Sequence, residues 1–130
     1  MWTVGWPGRV AVIPTPIVDG DRVYATMGYG VGCMLVEIAE DNTATKVYEN
    51  KVMKNKHGGV ILLGDHLFGH SEGVGWVCQD FKTGERLWRD REAMEMGAIA
   101  YADNRLYWLG EDTGDVASIE PSPEGWKEHG

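Results

Sequence analysis

The stretch DGDRVY at residues 19–24 recurs as LGDHLF at residues 63–68 and as ADNRLY at residues 102–107. Each copy places a pair of turn-forming residues directly before a strand-forming apolar run, which is the pattern of a β-hairpin. Equivalent valine and leucine residues of the three copies lie 44 and 39 residues apart. A period of about forty residues, built from short strands and tight turns, is typical of β-propeller blades. The sequence therefore predicts an all-β chain with about three blades, each a four-stranded antiparallel sheet.

The repeats predict one domain over residues 1–130. Its expected parts are the outer strand of a preceding blade at residues 1–9, then blade one at 10–50, blade two at 54–90 and blade three at 95–130. Trp2 supports the first assignment, because it lies 18 residues before Gly20 as Trp88 lies 15 residues before Asp103. The first strand of blade one is expected over residues 10–13 and then 16–18, with Pro14 and Pro16 limiting its pairing, and a short fourth strand of blade three is expected at 126–128.

Composition and charge restrict the classes of function. The formal net charge is −8, and Lys and Arg form no cluster, which argues against binding to nucleic acid or to an anionic membrane surface. The 18 glycines fit a chain with many hairpins, and the six tryptophans fit one bulky aromatic packing residue per blade. No apolar run is long enough for a transmembrane helix, and residues 1–7 lack the basic and apolar regions of a signal peptide.

One repeat carries a more specific pattern. Residues 75–88, with the sequence GWVCQDFKTGERLW, resemble the repeat of pyrroloquinoline-quinone-like propellers, roughly G-x-v-y-A-L-D-x-x-T-G-x-x-x-W. Asp80, Thr83, Gly84 and Trp88 match the Asp, Thr, Gly and Trp of that repeat. The segment KNKHGG at residues 54–59 is also similar to an uncharacterised bacterial subfamily of these propellers.

The flanking blades match more loosely. Glu37 and Tyr48 stand in blade one where Asp80 and Trp88 stand in blade two. Glu120 and Trp126 take the same places in blade three. We expect these positions, and Trp2, to be structural rather than catalytic, with the Thr-Gly pair forming a turn and each Trp packing between blades.

The resemblance implies a family that includes quinoprotein dehydrogenases and a lipoprotein scaffold of outer-membrane assembly, and it implies a periplasmic or extracellular location. A quinone site would, by the same resemblance, need an adjacent pair of cysteines, calcium-binding Glu, Asn and Asp residues, and a Trp floor. The chain has no adjacent Cys pair. We therefore expect no cofactor here, and a non-catalytic scaffold or binding module of unknown ligand. The alternative is a fragment of a quinoprotein dehydrogenase whose active-site residues lie outside this piece.

Two groups of residues leave alternatives open. Cys33 and Cys78 fall in the third strands of neighbouring blades, where either a disulfide or two small buried thiols would fit, and we favour the second. His57, His66 and His70 are the only potential metal cluster. Zinc needs three or four ligands in tetrahedral geometry, and no Cys or carboxylate is placed to complete this set. Histidines that line turns or the channel are the favoured interpretation.

Three blades cannot close a ring, since closed propellers have four to eight. The chain is thus expected to be a fragment of a larger propeller with unburied sheet faces at both ends. Such an array should self-associate, and two copies would give a six-bladed ring. A protein partner or a small ligand is expected at the channel or the loops.

Overall fold

The computed structural model describes residues 1–130 and contains eleven β-strands and no helix. The strands form three antiparallel sheets, each a simple meander in which neighbours in sequence pair with one another. We call the sheets blade one, blade two and blade three. Blade one contains β1 (Ile17–Asp19), β2 (Arg22–Met27), β3 (Gly32–Ile38) and β4 (Ala44–Asn50). Blade two contains β5 (Val60–Leu63), β6 (His66–Ser71), β7 (Gly75–Asp80) and β8 (Arg86–Asp90), and blade three contains β9 (Gly97–Ala102), β10 (Arg105–Gly110) and β11 (Val116–Ile119).

The predicted all-β fold class is confirmed. The sheets contain four, four and three strands and do not close on themselves, an arrangement consistent with propeller-like blades of an incomplete ring. The repeated hairpins form where the sequence places them. Gly20 and Gly64 take positive φ in the first two, and Asp103 and Asn104 take φ of 49° and 58° in the third. These residue types tolerate the left-handed conformation that a two-residue hairpin requires.

The residues of each strand alternate between its two sides, so each blade has two faces. Successive blades pack with one face of each blade against a face of the next. We call the side of a blade that looks toward the next blade its forward face, and the opposite side its backward face. Joint one lies between blades one and two and buries a cluster of seven residues: Tyr24, Cys33, Leu35, Met53, Leu67, Val77 and Phe81. Joint two lies between blades two and three and buries Phe68, Trp76, Cys78, Leu106, Trp108, Ala117 and Ile119.

Three strand predictions differ from the structure. Residues 1–16 contain no strand, so the outer strand expected at 1–9 is not formed, and the first strand of blade one is limited to β1 at Ile17–Asp19. An outer strand needs other strands to pair with, and residues 1–16 form none; Pro14 and Pro16 also lack the N–H needed for pairing. The strand expected at 126–128 is reduced to a single bridge between Ile119 and Glu128.

The ends of the strands divide the loops into two sets. Because the strands are antiparallel, the β2–β3, β6–β7 and β10–β11 loops share one side of the molecule with the connectors 51–59 and 91–96. We call this side the loop face. No helix in the structure is long and apolar enough to cross a membrane.

Candidate functional site

The polar side chains of joint one form hydrogen bonds between blades one and two. Tyr24 of β2 donates its hydroxyl to Oε1 of Gln79 at 2.8 Å, and Nε2 of Gln79 donates to the carbonyl of Gly84 at 2.9 Å. Nδ2 of Asn50 donates to the same carbonyl at 2.9 Å. Burial raises the pKa of Tyr24 well above its ordinary value, with a further contribution from Cys33. The tyrosine is therefore a neutral donor inside the joint.

The matched Asp, Thr and Gly form the β7–β8 turn. Oδ1 of Asp80 accepts from the backbone N–H groups of Lys82 and Thr83 at 2.9 and 2.7 Å and from Oγ1 of Thr83 at 3.0 Å. Burial alone would raise the pKa of Asp80, but these hydrogen bonds outweigh it and lower that pKa. The carboxylate is thus occupied by its own turn, in the manner of an Asx-turn.

Gly84 in this turn is required by the neighbouring blade as well as by its own backbone. Its φ is 76°, and a Cβ there would lie 2.7 Å from Cδ2 of Tyr48 and 2.7 Å from Nδ2 of Asn50. Tyr48 also donates its hydroxyl to the carbonyl of Phe81 in the same turn, at 2.9 Å. The β7–β8 turn of blade two therefore packs directly against β4, the outer strand of blade one.

The second joint repeats this contact with Trp88. Its Nε1 donates to the carbonyl of Ser122, beyond β11 of blade three, at 2.7 Å, and its ring lies 6.3 Å from that of Phe68. Tyr48 and Trp88 were predicted to be equivalent from their spacing, and in the structure each reaches a carbonyl that follows the third strand of the next blade. An outer-strand aromatic thus links each blade to its successor.

Stacked tryptophans fill the centre of joint two. Trp76 of blade two and Trp108 of blade three lie 3.9 Å apart between ring centroids, with 14° between their planes. Trp126 closes the cluster, with its ring centroid 4.1 Å from that of Trp108. Trp126 therefore packs backward, into joint two, while Trp2 lies outside every sheet and is 38% exposed.

A second turn of the same kind was missed by sequence reasoning. In the β10–β11 loop, Gly114 donates its N–H to the carbonyl of Gly110 at 3.1 Å, as Gly84 does to Asp80 at 3.0 Å. The carboxylate comes from elsewhere in the chain: Oε1 of Glu95 accepts from Thr113 N at 2.7 Å, from Thr113 Oγ1 at 2.9 Å and from Asp112 N at 3.0 Å. The shared Thr-Gly pair was the available signal for this turn.

Glu95 ties the connector between blades two and three to the loop face. Hydrogen bonds from Thr113, and then from Asp112, hold the pKa of Glu95 below its ordinary value. Its side chain also lines a cleft of about 420 Å³ together with Thr113, Asp115 and Glu128. A smaller cleft of about 280 Å³ adjoins it and is lined by His70, Arg91 and Glu95 among others. A third cleft, of about 440 Å³, is lined by Asp90, Arg91 and Trp126 among others.

The three histidines are not brought together as ligands. Nε2 of His57 lies 2.8 Å from Oε2 of Glu111 in the β10–β11 loop. His66 packs against the ring of Phe68, and His70 packs edge-on against Trp76 at 5.3 Å. Burial lowers the pKa of His70, and His57 adds to this effect. No group of three or more His, Cys, Asp or Glu side chains is placed to hold a metal ion.

The residues present do not fit a quinone site. Cys33 and Cys78 are both buried and free, and they lie in different joints, so they are neither paired nor adjacent. The acids at the repeat position have other partners: Glu37 binds Arg22, and Glu120 lies 3.4 Å from His129. Asp80 caps its own turn, as described above.

The end face of blade three is apolar and open, whereas the end face of blade one is covered at its centre, where Val36 is 2% exposed, and is open only at its edges. On the forward face of blade three, Leu109 is 46% and Val116 is 60% exposed, and both line an entirely apolar groove of about 190 Å³. On blade one, Val18 is 69% and Val47 is 44% exposed. Apolar side chains exposed together on a sheet face indicate a contact surface.

Comparison of the whole chain with protein-family models and with curated proteins finds no match. The functional assignment therefore depends on the geometry of the joints, the loop face and the end faces.

Proposed function

We propose that this chain is a non-catalytic propeller-type module, of the pyrroloquinoline-quinone-like repeat class, that assembles with itself through its open blade faces. In this role it is a scaffold that presents the loop face to a protein partner or a small ligand. The single observation that carries the proposal is the apolar end face of blade three, where Leu109 and Val116 stay exposed around a groove lined only by apolar residues.

The chemistry of the joints supports a structural role for the repeat residues. Tyr24, Gln79, Asp80 and Glu95 could each serve as a proton donor, an acceptor or a ligand, yet each makes hydrogen bonds to backbone or side-chain groups that fix a turn or a joint. Tyr24 and Gln79 are buried, and buried polar groups used in this way add specificity to packing. The loop face retains clefts of about 420 and 280 Å³, which suit a small ligand or a partner loop.

Light scattering coupled to gel filtration tests the proposal. The expected result is a species of about twice the chain mass of 14.4 kDa, in which the open face of blade three is covered. A strictly monomeric chain at protein concentrations up to the millimolar range would overturn the self-association.

The non-catalytic part of the proposal has a separate test. Protein purified from its natural source is analysed for bound quinone by absorbance and for calcium by elemental analysis. Stoichiometric quinone with calcium would replace the scaffold by the alternative assignment, a piece of a quinoprotein dehydrogenase.

A further inference from the structure

The forward face of blade three has an apolar centre and charge only at its ends. β10 turns Arg105, Tyr107 and Leu109 to this side, and β9 places an alanine opposite each of them. Val116 of β11 pairs with Leu109, and both side chains are exposed. The groove of about 190 Å³ on this face is lined only by apolar residues. A second apolar surface can therefore cover the centre of this face without burying a charge there.

No other blade face of the chain is open. Joints one and two bury the forward faces of blades one and two and the backward faces of blades two and three. On the backward face of blade one, Val36 is 2% exposed within a single chain, and Val23, Ala25 and Met34 beside it are half-buried. The open blade face of a second copy is therefore that of its own blade three. Contact between two copies of one surface is isologous, so the assembly closes at two chains.

The charges at the two ends of β10 determine the orientation of such a contact. Arg105, the first residue of β10, lies at one end of the face and forms no ion pair within the chain. The β10–β11 loop at the other end, residues 111–115, carries three acids and no base. If the two β10 strands run antiparallel across the contact, Arg105 of each copy meets the acidic loop of the other. Parallel strands would instead bring the two acidic loops together, which like-charge repulsion opposes.

From these observations we infer that blade three of a second copy covers the groove, with the two β10 strands antiparallel across a two-fold axis. The inference rests on the proposed self-association, and it names the surface and its orientation. An axis through the centre of the groove, between Tyr107 and Leu109, places Tyr107 of each copy over Leu109 of the other. The same register places Arg105 opposite Glu111, whose carboxylate also contacts His57 within the chain. The apolar centre provides the attraction, and the two ion pairs at its ends set the orientation.

Charge reversal tests the orientation, with the dimer dissociation constant measured by sedimentation equilibrium at low salt. Arg86→Glu on β8 is the matched control, because it changes the net charge by the same two units at an exposed position outside blade three. Relative to this control, we expect Arg105→Glu to raise the dissociation constant by about tenfold, since the new acid faces Glu111 twice in the symmetric dimer. The double variant Arg105→Glu, Glu111→Lys exchanges the two signs and leaves the net charge unchanged, and we expect it to regain the wild-type constant.

The parallel arrangement gives a different result. It places Arg105 of one copy near Arg105 of the other, so Arg105→Glu and Arg86→Glu would have equal dissociation constants. That equality would overturn the inference while the proposed self-association stands. Failure of the double variant to regain the wild-type constant would overturn it in the same way.

A second pair of variants tests the surface itself. Val116→Asp places an acid in the centre of the contact, and we expect it to be monomeric by light scattering. Leu87→Asp on β8 adds the same charge at a residue that is 42% exposed and lies outside both end faces, and it should remain dimeric. A dimeric Val116→Asp would overturn the inference, whereas a monomeric wild-type chain would overturn the proposed function itself.

A measurement on the unaltered chain removes the dependence on variants that fold. Hydroxyl-radical labelling is compared at low and high protein concentration. We expect labelling of Tyr107, Leu109 and Val116 to fall by several-fold as the dimer forms, with Leu87 and Val18 unchanged. Protection of Val18 together with blade three would overturn the inference, because it would place blade one in the contact.

Discussion

Gly84 and Gly114 occupy the same place in two turns of the same geometry, and only one of them touches another blade. Both have φ of 76°. A Cβ at Gly84 would meet Tyr48 and Asn50 at 2.7 Å, whereas nothing lies within 4 Å of a Cβ at Gly114. The pair therefore separates the conformational requirement for glycine from the steric one.

We expect Gly84→Ala to lower the free energy of unfolding by about 1–3 kcal/mol more than Gly114→Ala does. Both variants carry the cost of a non-glycine residue at positive φ, about 1 kcal/mol. Only the first also forces Tyr48 and Asn50 away from the turn, with the cost of overpacking. Urea unfolding followed by far-UV circular dichroism measures both. Equal losses of unfolding free energy in the two variants would show that the contact with Tyr48 and Asn50 does not require glycine at position 84.

Cys78 gives a prediction for alkaline pH. Burial, and then the charge of Asp80, raise its pKa to about 12, while a thiol of an unfolded chain titrates at about 8.5. The unfolded chain therefore loses this proton first as the pH rises. The stability contribution is complete below the unfolded pKa and is lost progressively above it, by at most about 1.4 kcal/mol per pH unit.

The measurement is the free energy of unfolding in urea between pH 7 and pH 9, below the pKa of about 10 at which tyrosines of the unfolded chain titrate. Cys78→Ala is the comparison, because it removes the thiol and should flatten the profile in this window. An identical slope in the two proteins would mean that Cys78 does not carry the linkage.

At the scale of elements, a carboxylate accepts the backbone N–H groups of both the β7–β8 and the β10–β11 turn, but the carboxylate comes from a different part of the chain in each. Asp80 caps the first turn from within its own hairpin, whereas Glu95 caps the second from the connector that precedes β9. Local sequence could therefore predict the first cap, through the D-x-x-T-G pattern. The second depends on a contact between residues 18 positions apart in the chain.

We expect Glu95→Gln to speed the amide hydrogen exchange of Asp112 and Thr113 by several-fold and to leave that of Thr83 unchanged. The charged acceptor stabilises these N–H groups more than a neutral amide does. Asp80→Asn is the reciprocal control and should affect Lys82 and Thr83, but not Asp112 and Thr113. Exchange monitored by two-dimensional NMR distinguishes the two turns. Equal exchange in both turns of either variant would contradict independent caps.

Lowering the pH tests the Glu95 cap without a substitution. Because the pKa of Glu95 is lowered in the folded chain, its contribution is present above the usual glutamate pKa of about 4.3 and is lost as the pH falls through the lowered value. Protection of Thr113 should decline in that range of pH.

At the scale of the whole molecule, the open apolar face of blade three favours association and the net charge opposes it. The chain carries −8 at neutral pH, so two copies repel one another. Salt screens this repulsion but does not weaken apolar contacts.

We therefore expect the dimer dissociation constant to fall by several-fold between 0.05 and 0.5 M NaCl, measured by sedimentation equilibrium. Leu87→Asp should follow the wild-type salt dependence, apart from the effect of its one added charge. A dissociation constant that rises with salt would indicate a contact made of ion pairs and would contradict an apolar interface.

Much of this architecture follows from local sequence. Hairpins at Gly20, Gly64 and Asp103 form where turn residues precede apolar runs, since tight turns depend on a few backbone angles that few residues adopt. The period of about forty residues places three sheets in order. The absence of strands at residues 1–16 was not predicted, because a strand exists only beside a partner, and whether one is present is a property of the whole fold.

The sequence by itself determined the all-β class, the three hairpin repeats and the Asp80–Gly84 turn, since each depends on contacts between near neighbours in the chain. Only the tertiary structure decided that Cys33 and Cys78 lie in separate joints, that Glu95 caps a distant loop, that the three histidines stay apart and that Trp126 packs backward. The reason is physical: these features depend on which face of one sheet meets which face of the next, and the spacing of residues along the chain does not specify that contact.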